Sequence, residues 1–451
     1  MKDLTKGYPA KVITYFTLPL ILGSILQQLY NITDSKIVSE FVSSDALAAV
    51  GATAIVSNTL IGFINGLTQG FAILIARSFG EKNYKDLRRY VAGTVKLTLV
   101  IMVLFTVFGE LFIRQFLVFL KTPADILEMS VDYVRIIIMG ISFVSVYNMC
   151  ANVLRAVGDS TRPLICLIIS IAVNLGLDIL FVPVLGMGIK GAAYATVISQ
   201  AVAALACFVF MVKRNKDIIP RKDEWSLTSR QYSNLVSTGA SMGLMGCIVN
   251  IGTITLQSAI NELGTVYVTA HIAGRRVFDI MMVLIYTFGS AMTTFVSQNL
   301  GAGRYDRIRQ GMRHAFIIDT IVTTLVIIFA YTLGDNVVCW IASTDDAVML
   351  DAGVKYIQIG VLFFYVLGPL FILRGGLQGL GQKIVPLVSS LVELGVKILS
   401  SFIIVPRLKY MGVILTEPIS WVLMVIPLAV VYFIKRPQTK NMNDEGVKYG
   451  R

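Results

Sequence analysis

The chain has 451 residues, 55% of them hydrophobic and only 15% charged, with a mean hydropathy of +0.74; this excludes an ordinary soluble protein, in which about a quarter of residues are charged. The net charge of +12 fits basic loops beside membrane spans better than a nucleic-acid surface. Cys150, Cys166, Cys207, Cys247 and Cys339 lie in or at the ends of apolar runs without paired spacing, and His271 and His314 have no partner at ligand spacing, which argues against disulfides and metal sites.

Twelve apolar segments are expected, at about 12–38, 46–76, 91–119, 128–153, 163–183, 187–212, 233–260, 266–297, 312–341, 347–373, 384–405 and 411–434. Each can cross a hydrocarbon core of about 30 Å. The first is long and followed by many others, so it reads as a span and not a cleaved signal. One set of loops is basic: Lys82, Lys85, Arg88 and Arg89; Arg155 and Arg162; Lys213 to Arg230; Arg304 to Arg313; Arg374 and Lys383. The other set holds Lys121, Lys190, Arg407 and Lys409 with Glu40, Asp345 and Asp346. The positive-inside rule places the basic set and both termini in the cytoplasm of a cell-membrane protein. The expected fold class is an all-α polytopic membrane protein: an N-terminal lobe 1–212 of six spans, a cytoplasmic linker 213–232, a C-terminal lobe 233–436 of six more and a cytoplasmic tail 437–451.

The two halves repeat. "SFGEKNYKDLRR" (78–89) aligns with "NLGAGRYDRIRQ" (299–310), matching Gly80, Tyr84 and Arg88 to Gly301, Tyr305 and Arg309 at an offset of 221. "LRAVGDSTRPL" (154–164) aligns with "LQGLGQKIVPL" (377–387), matching Gly158 and Pro163 to Gly381 and Pro386 at an offset of 223. Six spans per repeat give both halves one orientation, as in transporters whose lobes rock about a central site.

With "LPLILGSILQQLYNITDSKIV" in span 1, "DALAAVGATA" opening span 2, "LRAVGDSTRP" after span 4, "SQNLGAG" after span 8 and "TEPISW" in span 12, the chain resembles the MATE (multidrug and toxic compound extrusion) transporters over nearly its whole length. The resemblance implies a monomeric secondary exporter in two pseudo-symmetric lobes. It would antiport amphipathic, often cationic, organic compounds against H+ or Na+, with no cofactor beyond that ion.

Polar residues inside the spans mark the site. Asn174 and Asp178 in "VNLGLDILF" are four apart and share a helix face. A carboxylate at membrane depth must face protein or water. Asp34 is its natural partner from span 1, and Thr196 of span 6 adds a hydroxyl. The family's N-terminal cation site is similar to this set: Asp34, Asn174, Asp178 and Thr196. Tyr133 stands at the position of a tyrosine near that site, and Asn148 and Asn152 face the same lobe by helical spacing. Two adjoining carboxylates in a low dielectric retain a proton or hold a cation between them.

In the C-terminal lobe, Glu393 and Lys397 are spaced i, i+4 and can neutralise each other. Arg276 and Asp279 are spaced i, i+3, and Glu417 lies in span 12. These five are candidates for a substrate cavity or a polar network. Where some branches of the family carry an acidic residue in span 7, this chain has Val249 beside Asn250. Lys36 stands where the family's motif is usually apolar, and Ser39 where it has Gly; Lys36 pairs with Glu40 or snorkels, or turns inward to compete with a cation at Asp34. The rival readings are a flippase or exporter of a lipid-linked or polar metabolite, and an intramembrane enzyme. The second would need a catalytic constellation at membrane depth, and the sequence supplies none.

Overall fold

The structure is a computed structural model that describes residues 3–119, 122–342 and 347–434. Lys121, Asp345, Asp346, the tail 437–451 and the Ser39 side chain lie outside the described residues. Every regular element among the described residues is helical. The first six long helices are α1 (Pro9–Phe41), α2 (Ser44–Gly80), α3 (Tyr84–Phe119), α4 (Ala124–Ala156), α5 (Thr161–Ile179) and α6 (Gly188–Arg214). They are followed by α7 (Ser229–Asn261), α8 (Thr265–Gly301), α9 (Tyr305–Ala342), α10 (Ala347–Leu362), α11 (Phe364–Gly379), α12 (Ile384–Leu399), the short α13 (Val405–Leu408) and α14 (Tyr410–Ile434).

Eleven of the described helical segments are long and apolar enough to cross a membrane, and a twelfth span forms if the pair Val348–Leu362 and Phe364–Gly379 is counted as one. That pair is bent by 53° at Phe363, where a single continuous span was expected. Pro369 lies inside α11, six residues past the bend, where it removes one main-chain hydrogen bond and crowds the Tyr365 carbonyl.

The internal repeat is written in the backbone as well as in the sequence. Lys82 and Gly303 both have positive φ (56° and 67°), as do Gly158 and Gly381 (83° and 85°) and Gly188 and Lys409 (58° and 52°). These pairs are separated by 221 to 223 residues, the offsets of the sequence match. Each half also replaces its α-helix by a short π-helical stretch, Leu180–Val184 after α5 and Ser400–Ile404 after α12. Such bulges cluster at functional positions.

The described residues form two compact units. One contains α1 from Leu18, α2 to Phe79, α3 to α6, the linker and α7 to Cys247; the other contains Asp3–Thr17, Gly80–Lys82 and the chain from Ile248. In the first, α2 and α7 cross closely, because Gly66 and Gly70 face Met242 and Gly239 where a Cβ would strike backbone. Small residues at such crossings replace the hydrophobic drive that lipid removes. The linker is held to α3 by Arg88, which donates to both oxygens of Glu224 at 2.6 and 2.7 Å. The Arg88 guanidinium beside Glu224 holds that carboxyl well below its ordinary range, at about 2.

In the second unit, the segment before α1 is bound through its backbone. Leu4 N donates to Gln298 Oε1 at 3.0 Å, and Arg304 and Arg307 donate to the carbonyls of Thr5 and Gly7 at 2.9 and 2.7 Å. Tyr8 Oη lies 2.7 Å from His314 Nε2.

Candidate functional site

The first unit gathers its polar groups where α1, α5 and α6 meet. Asp178 lies just ahead of the π-helical stretch, and both it and Asn174 are buried, at 1% exposure each. With its amide oriented to satisfy both ends, Asn174 Nδ2 donates to Asp178 Oδ2 at 2.7 Å and Oδ1 accepts from Thr196 N at 3.2 Å. Asp34, half-buried on α1, brings its carboxyl into hydrogen-bonding contact with that of Asp178. Among the described residues, one oxygen of each carboxyl, Asp34 Oδ1 and Asp178 Oδ1, has no hydrogen-bond partner.

Tyr30, one turn before Asp34, places its hydroxyl 3.4 Å from Thr196 Oγ1, and Tyr133 is buried beside the two carboxyls. The structure thus brings together Asp34, Asn174, Asp178, Thr196 and Tyr133, and adds Tyr30, which the sequence reading passed over. Its one-turn spacing from Asp34 was the available signal. Two of the expected supporting residues point elsewhere. Asn148 donates to the Val144 carbonyl at 2.9 Å. Asn152 donates to Thr68 Oγ1 at 2.9 Å and accepts from Arg155 at 3.2 Å, tying α4 to α2. Lys36 is exposed and lies 3.7 Å from Glu40, so it takes the pairing alternative.

The arrangement suits one small cation. Two carboxyl groups in contact within an apolar surround cannot both stay charged cheaply. A proton shared between them, or sodium held by the two free carboxyl oxygens, resolves the repulsion.

The second unit carries a chain of ion pairs. Lys397 is 2% exposed and bridges Glu393 at 2.9 Å and Glu417 at 3.3 Å. Glu417 is also held by Arg275 at 3.2 Å, and Arg275 by Asp279 at 2.7 Å. The arginine of this network is Arg275 and not Arg276: four residues before Asp279 lies on its face of α8, whereas Arg276 turns outward and is exposed. Glu417 is therefore tied to two cations, and Lys397 belongs to a network of five groups. Lys397 precedes the second π-helical stretch as Asp178 precedes the first, so the two halves keep their polar clusters at equivalent places. A further buried carboxyl, Asp319 on α9, is 1% exposed; the sequence reading did not single it out, although it interrupts the apolar run "AFIIDTIVTTLVIIF".

Comparison with known proteins gives the family. The MatE family model matches twice, at residues 19–180 and 242–403, which repeats the half-chain offset. The "Probable multidrug resistance protein YpnP" of Bacillus subtilis (strain 168) is 27% identical, covering 87% of each chain. The "FAD transporter" of Shewanella oneidensis is 23% identical, covering 77% of this chain and 78% of that one. Among solved structures, the outward-facing conformation of a multidrug resistance MATE family transporter has the same fold. It covers 97% of this chain and 98% of its own, with a TM-score of 0.90 at 21% identity. The doubled family match, the helical spans and the paired backbone features agree, and the chain belongs to the MATE family of membrane transporters.

Proposed function

We propose that this transporter exports amphipathic, often cationic, organic compounds across the cytoplasmic membrane, driven by entry of H+ or Na+. The observation that carries the reading is the contact between Asp34 and Asp178, each with a free oxygen. Binding of the coupling ion there would favour one access state and binding of substrate the other, since a ligand shifts an equilibrium only by its differential affinity. The loop charges favour cytoplasmic termini and a cytoplasmic 213–232 linker. The multidrug names of several relatives support the substrate class.

A second reading is export of a polar, anionic metabolite. The relative named as a FAD transporter and the cations Arg275 and Lys397 favour it. Against it, both cations are already paired with carboxylates.

The deciding experiment is efflux from proteoliposomes of the purified chain under an imposed proton or sodium gradient, with a cationic dye and an anionic nucleotide as alternative cargoes. Dye efflux that follows one of the gradients supports export coupled to that ion. Efflux indifferent to both gradients overturns it.

A further inference from the structure

Asp319 lies in the interior of α9, and one turn further along the same face is Thr323, 0% exposed. Among the described residues, neither Asp319 Oδ1 nor Thr323 Oγ1 has a hydrogen-bond partner. Opposite them is Gly368 of α11, where an added Cβ would collide with the Asp319 carboxyl. The carboxyl therefore fills the space a side chain at 368 would need. Gly368 sits five residues beyond the break at Phe363 and directly before Pro369, inside the bent pair of helices.

Of the charged groups on the helices packed around α9, Arg276 of α8 is exposed, and others are engaged elsewhere. On α8, Arg275 is paired with Asp279. On α10, Lys355 is paired with Asp351 at 2.7 Å. On α11, Arg374 donates to Ser389 at 3.2 Å. On α9 itself, Asp306 and Arg309 pair near its start at 2.8 Å, with Arg313 and His314 in the following turns and Asp335 toward the far end. Among the tyrosines, Tyr286 lies against Phe371 and Tyr356 beside His271, and Tyr365 is bonded to Thr324 at 2.9 Å.

A carboxyl buried this fully, with no cation beside it among the described residues, has nothing to offset the loss of water if it is ionised. A hard cation takes several oxygen ligands, and the unpartnered oxygens found here among the described residues are those of one carboxyl and one hydroxyl. A single proton satisfies the chemistry.

We propose that Asp319 is a proton-binding site of the second unit, holding a proton in this conformation and releasing it to water when the α9–α11 face opens at the bend. It is separate from the Asp34–Asp178 pair and stands whichever ion that pair takes.

The test is infrared spectroscopy of the full chain in lipid nanodiscs near neutral pH, read at the carbonyl stretch of protonated carboxylic acids. Asp319→Asn should remove a band that persists in an Asp34→Asn, Asp178→Asn double variant. If wild type and Asp319→Asn show the same band, Asp319 is ionised and the proposal falls. Should Asp319→Asn fail to fold, Gly368→Ala reads the same feature by displacing the carboxyl, and the band should weaken; an unchanged band again overturns the assignment. Release is read from export against pH. One limb of the wild-type profile should vanish in Asp319→Asn, with turnover down about 10-fold or more, and an unchanged profile and rate would exclude release during the cycle.

Discussion

Asn174 donates to Asp178 across one turn of α5, at 2.7 Å, while its own oxygen accepts from the backbone of Thr196 on α6. One amide thus fixes the carboxyl that meets Asp34. Asn174→Ala should cost about 1–3 kcal/mol, since it leaves the buried Asp178 oxygen without its donor. It should weaken coupling-ion binding about 10-fold, as loss of a supporting ligand does. Gradient-driven efflux against ion concentration measures this; an unshifted curve means the amide is only structural.

Asp34→Asn and Asp178→Asn should each reduce gradient-driven efflux to background while expression and melting temperature hold. Either change removes the second carboxyl on which the shared cation depends. Lys36→Ala should do neither, because Lys36 is exposed and turned to Glu40. Full transport by both neutral carboxyl variants would remove the coupling role.

Lys397→Met should cost about 3–5 kcal/mol, because it strands Glu393 and one side of Glu417 in the interior. Glu393→Gln should cost less, since Lys397 keeps Glu417. A double charge reversal of Glu393 and Lys397 should not restore stability fully, because the new acid at 397 would face Glu417. Thermal unfolding in detergent ranks the three variants, and equal losses would contradict the network.

The Arg88–Glu224 clamp sets a pH window for the linker. Glu224 titrates at about 2 when folded, below the roughly 4.3 of a free glutamate. Its contribution is therefore full above the unfolded value and is lost as pH falls toward 2. Glu224→Gln should lower stability by about 2 kcal/mol near neutral pH, and the difference from wild type should shrink on acidification. Protease cleavage within 213–232 against pH is the measurement.

Lys409 has φ 52° and ψ −135°, a backbone conformation that costs a side chain about 1 kcal/mol or more. Its counterpart Gly188 is a glycine. Lys409→Gly should raise stability by about 1 kcal/mol, read as a higher melting temperature. A fall would mean that the Lys409 side chain contributes more than its backbone strain removes.

The Asn174–Asp178 pair was legible in the sequence for a physical reason: polar groups at membrane depth are costly, so their helical spacing reports a shared face. Asn174 and Asp178 share a face as that spacing requires, whereas Asp34 and Thr196, on other helices, were joined to them by the family resemblance. The choice between Arg275 and Arg276 was not legible, because adjacent residues differ by 100° around the helix and only the packed phase of α8 selects one. Asn148 and Asn152 have the right spacing for the lobe, but amides can be satisfied by a nearby carbonyl or hydroxyl, and these were. The break at Phe363 left no composition signal beyond Gly368 and Pro369, which lie past the bend itself. Asp319 was visible as a lone acid in an apolar run; its meaning depended on Gly368, a neighbour the sequence places 49 positions away.

The segment Asp3–Gly7 is fastened to the second unit, yet α1 from Leu18 belongs to the first. The helix that holds Asp34 is therefore divided between the units, its first turns in one and the rest in the other. Pro19 lies just past the changeover, where the helix lacks one main-chain hydrogen bond. The chain also changes unit at the α2–α3 turn and within α7. The carboxyl that meets Asp178 thus stands on a helix that follows a segment fastened through Leu4, Thr5 and Gly7.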